Sequence, residues 1–255
     1  MVIVKAGKHK FYLDGYLQSN LDVSIKEVRK RDFDRFILAV GREGFGKTTL
    51  LSQCALYCDN TFNLNRVYFT PEQFLEGVVN ADKYTSHLFD ETVWGLGSRQ
   101  AMNKINKVLI KVMTEMRSKN LFVFMAIPNF FMIDWYVAQH RTTGLLYIYK
   151  RGSFGSYDYP TKKKLYMQGK KYHSYKIPPN FIGRFVKYFP LDKEIYEKKK
   201  QQAIDEWIKT RGKEATWKQQ RDILINKCIS SKLMTREEVA NLINISVMQV
   251  GRLLT

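Results

Sequence analysis

The chain has 255 residues, 45% hydrophobic and 14% aromatic, enough for one full α/β core with a small module beside it. Its formal net charge of +18 points to an anionic partner, and nucleic acid is the commonest one for a basic protein. Three cysteines with no CxxC pair and no histidine cluster indicate neither a disulfide framework nor a zinc site, and the longest apolar run, residues 121–128, is far too short to span a bilayer.

The N-terminus lacks the pattern of a signal peptide, so a reducing cytoplasm is the expected compartment. Residues 1–34 read as a short N-terminal segment, with strands at 2–4 and 11–13 and a charged run at 26–34. Residues 35–40 read as a buried strand that feeds a glycine loop, and 47–57 continue as a helix holding Cys54 and Cys58 as small core residues. A second strand covers 66–69. Thr70 then caps a helix, with Pro71 in its first turn and Gln73 three residues on. A third strand, 84–89, ends in Asp90-Glu91. After Gly95 and Gly97, Ser98 is placed to cap a long helix through Met116, with apolar positions from Met102 onward at helical spacing. The fourth strand is 121–127, residues 130–139 read as helix, and 145–149 is the fifth strand. Strands alternating with helices, each strand a nearly continuous apolar run, predict an α/β fold with a mainly parallel sheet covered on both faces. Beyond 150 the character changes. Residues 150–189 read as hairpins or loops, 191–211 and 216–231 as helices, and 235–254 as a separate small motif. The expected division is 1–34, a core at 35–150, a basic extension at 151–231 and a helical motif at 232–255.

The spacing Gly41-Arg42-Glu43-Gly44-Phe45-Gly46-Lys47-Thr48, followed by Thr49, fits a phosphate-binding loop for ATP or GTP with magnesium. Glycines let successive backbone N–H groups turn onto phosphate, and the following helix adds its positive end. Lys47 is placed to reach the β- and γ-phosphates and Thr48 to ligate Mg2+. Asp90 would hold the metal through water, and Glu91 would orient or deprotonate an attacking water. Asn129, one proline past the fourth strand, could sense the γ-phosphate or cap a helix. A further cation is required for the developing charge. Arg42, Arg99, Arg117 and Arg141 are candidates, with Arg141 favoured as a finger offered to a neighbouring subunit.

Residues 150–200 carry fourteen Lys or Arg against four Asp or Glu, a net of +10, with Tyr157, Tyr159, Tyr166, Tyr172 and Tyr175 interleaved. Lys162, Lys163, Lys164, Lys170 and Lys171 are candidate DNA contacts, the tyrosines serving either as stacking platforms or as cover for the core. Residues 236–253 read as a helix-turn-helix. Ala240 lies at the crossing, Asn244 in the turn, Ser246 at the second cap, and Val239, Ile245, Val250 and Leu253 between the helices. Gln249 and Arg252 then belong to the recognition helix. A plain helical hairpin for protein contact is the alternative.

With both acidic and glycine motifs in view, residues 35–150 resemble the additional-strand P-loop ATPases, and within them the FtsK/HerA-type DNA-pumping ATPases, including viral genome-packaging and Zot-like members. The resemblance implies a RecA/FtsK-like core and an ATP- and Mg2+-dependent motor on DNA, working as a homo-oligomeric ring, often a hexamer, that hydrolyses ATP at subunit interfaces. It also implies a viral or mobile-element origin. The strand ending Ile127-Pro128-Asn129 departs from the family's usual glutamine or threonine. A terminase-like motor, an ATP-dependent DNA-binding switch with slow turnover and a small-molecule kinase are the rival readings.

Overall fold

Short apolar strands need partners on both edges and cover on both faces. In the computed structural model, which describes residues 2–90 and 99–253 but not the side chains of 99–105, 207 and 210–218, they find them in one seven-stranded sheet. Ahead of it, β1 (Val2–Ala6) and β2 (His9–Leu13) form an antiparallel hairpin with Val4, Ala6, Phe11 and Leu13 buried. The sheet consists of β3 (Arg35–Gly41), β4 (Val67–Tyr68), β5 (Ser86–Asp90), β6 (Phe122–Ile127), β7 (Gly144–Lys150), β8 (Ser153–Tyr157) and β9 (Phe181–Arg184) in the order β4-β5-β6-β3-β7-β8-β9. The first five in that order are mutually parallel; β8 and β9 extend the sheet antiparallel. Every residue of β5 and β6 is buried; β6 reads accordingly as an unbroken apolar run, while β5 buries Ser86, His87 and Asp90 beside Leu88 and Phe89.

Helix α1 (Gly15–Lys30) occupies a stretch for which the sequence predicts no element. Asp14 caps it by accepting from the amides of Tyr16 and Leu17, and Leu17, Leu21 and Val28 face inward. The charged run at 26–34 is the end of this helix and its exit. Helix α2 (Lys47–Cys58) is buried nearly all round, Cys54 and Cys58 included. Thr70 caps α3 (Pro71–Val79) through the amide of Gln73. In α4 (Arg99–Ser118), Leu109, Val112, Met113 and Met116 form the buried stripe; the expected cap Ser98 and the loop with Gly95 and Gly97 lie outside the described residues.

Residues 130–139 depart from the helix expected there. They form a 3-10 turn at Phe130–Met132 and a π-helical turn at Val137–Arg141. Phe130 and Phe131 are both buried against Tyr166. The segment expected as loops carries α5 (Tyr159–Gly169), capped by Asp158 with Pro160 in its first turn. One helix, α6 (Lys193–Ser230), replaces the two expected, and α7 (Arg236–Leu242) and α8 (Val247–Leu253) follow.

Packing divides the chain into two units, residues 1–200 and 201–255. The boundaries expected after residues 34 and 150 fall inside the first unit, where β8 and β9 complete the sheet. In the second, Ile225, Val239, Ala240 and Val250 form a buried cluster with Ile229, Ile245 and Leu253 against it. Asn244 takes the left-handed conformation (φ 54°) in the α7–α8 turn. Among the described residues, no helix is long and apolar enough to cross a membrane.

Candidate nucleotide site

Parallel strands in register bring their carboxyl ends to one edge. Val40 pairs with Ile127 and Asp90 with Ala126, so the glycine loop after β3, the carboxylate ending β5 and the exit of β6 lie side by side. The amide of Gly41 donates to the carbonyl of Pro128 at 3.3 Å, fixing the start of the loop on the exit of β6. Gly41 has φ 142°, and a Cβ there would meet the carbonyl oxygen of Ile148 at 2.3 Å, so only glycine fits. Gly46, at φ 94°, lies against the ring of Phe185. Arg42, Glu43 and Gly44 form the exposed crest; Phe45, Lys47, Thr48 and Thr49 are half-buried.

Lys47 Nζ donates to the carbonyls of Gly41 (2.8 Å) and Arg42 (3.1 Å), holding the ammonium against the loop. Thr48 Oγ1 donates to Asp90 Oδ2 at 2.9 Å. A hydroxyl and a carboxylate joined across the ends of β3 and β5, with β6 between those strands, are oxygen donors of the kind a hard cation takes. Magnesium keeps most of its waters and takes one or two protein oxygens beside phosphate, so this sparse donor set suits it. Among the described residues there is no cluster of three His, Cys, Asp or Glu that would suit a softer or fully protein-bound metal.

No family model matches this chain, and no curated protein matches it. Among solved structures it is similar to the crystal structure of the FIGL-1 AAA domain, at 19% identity and a TM-score of 0.40. The match covers 55% of this chain and 53% of that one, so it spans about half of the domain. The mostly parallel seven-stranded α/β sheet is consistent with a P-loop NTPase core. Strand order, the glycine loop and the Thr48–Asp90 bond carry that statement, and the similarity adds nothing to it.

Other expected site residues are placed differently. Glu91 lies outside the described residues, as does the side chain of Arg99. Arg141 is engaged within its own chain. Its guanidinium donates to Asp34 (3.1 Å) and to the carbonyl of Met113 (2.7 Å), and Asp34 precedes β3 at the edge opposite the loop. Seven strand residues separate Asp34 from the loop, about 20 Å at the usual rise. Arg117 is exposed at the end of α4. Asn129 serves as a cap: its Oδ1 accepts from the amide of Phe131 and the hydroxyl of Tyr175, and its Nδ2 contacts His173 Nδ1.

Lys162 is fully buried. Its Nζ donates to the carbonyl of Ala138, and burial followed by the nearby Lys163 pushes its pKa down to about 7. It is a core residue and no DNA contact. Tyr157, Tyr166 and Tyr175 also belong to the interior, bonding the carbonyl of Ile177, the carbonyl of Ile133 and Asn129. Lys164, Lys170 and Lys171 are exposed and Lys163 half-exposed, with Tyr159 and Tyr172 beside them. Gln249 is committed to capping: its Oε1 accepts from the amide and hydroxyl of Ser246, whose Oγ accepts from the Gln249 amide. Arg252 is exposed on α8.

Two contacts had no signal in the sequence. The hydroxyl of Tyr196, in the first turn of α6, donates to Asp90 Oδ2, with its ring between Phe69 and Phe189. Burial, then the charge of Asp90, pushes this phenol far above its ordinary pKa, so it stays a donor. Arg151, in the β7–β8 turn, donates from Nε to the carbonyl of Gly44 at 3.1 Å and braces the crest.

Proposed function

We propose that the chain is an ATP-driven motor acting on DNA. The observation that supports it best is the 2.9 Å bond from Thr48 to Asp90 beside the glycine loop, with β6 intercalated between the strands that present them. The intercalated strand is the feature that names the additional-strand ATPases, the division to which the FtsK/HerA-type reading belongs. Lys47 and the loop amides would hold the β- and γ-phosphates. Thr48 and Asp90 would hold Mg2+, which when bound neutralises phosphate charge. Glu91, directly after Asp90, is the base in this reading.

DNA is the partner because the charge is concentrated: +10 of the total +18 lies in residues 150–200. Lys163, Lys164, Lys170 and Lys171 belong to its accessible part, and α7–α8 adds a helix-turn-helix with Arg252 outward. A homo-oligomeric ring around the strand is the assembly that the resemblance implies.

The test is Mg2+-dependent ATP hydrolysis by the full chain with and without duplex DNA, beside Lys47→Ala. Stimulation by DNA that Lys47→Ala abolishes is expected. No hydrolysis, or slow hydrolysis indifferent to DNA, overturns the motor.

A further inference from the structure

A cavity of about 410 Å³ separates the glycine loop from the segment leading into α6. Gly46, Lys47 and Thr48 line one side; Lys187, Lys193 and Lys200 line the other. The far wall is fixed in place. The buried side chain of Gln53 on α2 donates from Nε2 to the carbonyls of Val186 (2.9 Å) and Tyr188 (2.6 Å), on either side of Lys187. The ring of Phe185 abuts Gly46. Tyr196 anchors α6 through Asp90, and Lys200 Nζ lies 5.8 Å from the centre of the Tyr196 ring.

Counting Lys47, four ammonium groups surround this space against two carboxylates, Glu43 and Glu197. Among the described residues, none of Lys187, Lys193 and Lys200 forms an ion pair. Converging like charges repel unless a polyanion lies between them, and a nucleoside triphosphate next to the glycine loop supplies that charge. Arg141, held at the opposite edge, does not supply the further cation.

We propose that Lys187, Lys193 and Lys200 grip the triphosphate from the side opposite Lys47, so that the cation stabilising the terminal phosphate comes from the same chain. This rests on the phosphate-loop reading above and extends it to residues beyond the two motifs. A grip on the terminal phosphate favours ATP over ADP.

Calorimetric titration of the full chain with ATP and with ADP, with and without Mg2+, tests it. Lys193→Ala and Lys200→Ala should each weaken ATP binding roughly tenfold, the scale of one charge-assisted hydrogen bond, and weaken ADP binding less. Lys200→Arg should recover most of the loss. Lys5→Ala, an exposed charge change on β1, should leave both affinities as they are, and melting curves identify any variant that is not folded. If the triple alanine variant binds ATP within about twofold of wild type while Lys47→Ala does not bind, the proposal falls and the phosphate-loop reading stands. If the wild type binds neither nucleotide, both fall.

Discussion

Asp90 Oδ2 accepts two hydrogen bonds, from Thr48 and from Tyr196. A carboxylate oxygen with both lone-pair directions engaged has to give one up before a metal-bound water can use it. At that oxygen the phenol therefore competes with a metal-bound water. Tyr196→Phe keeps the ring against Phe69 and Phe189 and removes the competitor. The Mg2+ concentration giving half-maximal nucleotide binding is expected to fall severalfold, as loss of one net hydrogen bond predicts. A rise would make Tyr196 a support of the metal site. His87, on the same strand, makes a separate prediction. Burial, and secondarily Arg66, pushes its pKa down to about 4, and it contacts the hydroxyls of Tyr68 and Thr85. With the folded value below the ordinary 6.5, the unfolded chain binds the extra proton. Stability is then intact above about pH 6.5 and is lost as pH falls toward 4, by about 3 kcal/mol at the low end. Denaturant melts between pH 4 and 7 check this. His87→Gln, which cannot titrate, should flatten the curve.

At the scale of elements, α5 separates two kinds of lysine that composition cannot tell apart. Lys162 points inward and donates to Ala138, while Lys163 and Lys164 are reachable by solvent. Lys162→Met removes one of the two donors to that carbonyl, Thr142 Oγ1 remaining at 2.9 Å, costs about 1 kcal/mol of stability, and should not alter DNA binding. Replacing Lys163, Lys164, Lys170 and Lys171 by Ala should flatten the log–log salt slope of duplex binding by up to about 0.9 per lost phosphate contact. An unchanged slope in that variant, or a flattened one in Lys162→Met, would relocate the DNA surface. The same contrast explains what was legible in the sequence. Glycine spacing, the acidic strand end and the buried strands are local patterns, and they land where the pattern puts them. Helix α1 matches no predicted element, and only its last turn lies in the charged run at 26–34, although Asp14 marked its start. The Asp158 cap and Pro160 marked α5, but the lysines and tyrosines of that stretch were weighed as a surface. Arg141 looked free because Asp34, 107 residues earlier, becomes its partner only once β3 and β7 pair. Tyr196 reaches Asp90 across 106 residues, a contact no local pattern announces.

On the scale of the whole molecule, every described residue assigned to the nucleotide lies within residues 1–200, and the α7–α8 pair has its own buried cluster in residues 201–255. Two cores with separate contents should respond to separate perturbations. A ligand that binds only the folded first unit raises its stability by RT ln(1 + [L]/Kd), about 2.7 kcal/mol at a hundredfold excess over Kd. Nothing in that relation reaches the second unit unless the two unfold together. Val250 is fully buried between Val239 and Ile225, so Val250→Asp places an unpaired charge in that small cluster and should unfold it. Scanning calorimetry is expected to resolve two transitions. Mg-ATP should move the first unit's transition upward and leave the other in place, and Val250→Asp should remove the second unit's transition while nucleotide affinity persists. The variant should also lose whatever sequence preference the chain has for DNA and keep its salt-dependent binding, because the exposed lysines of α5 and the turn after it belong to the first unit. A single transition that both perturbations shift equally would mean that the two units fold as one, and that the nucleotide site and the helical pair share one stability.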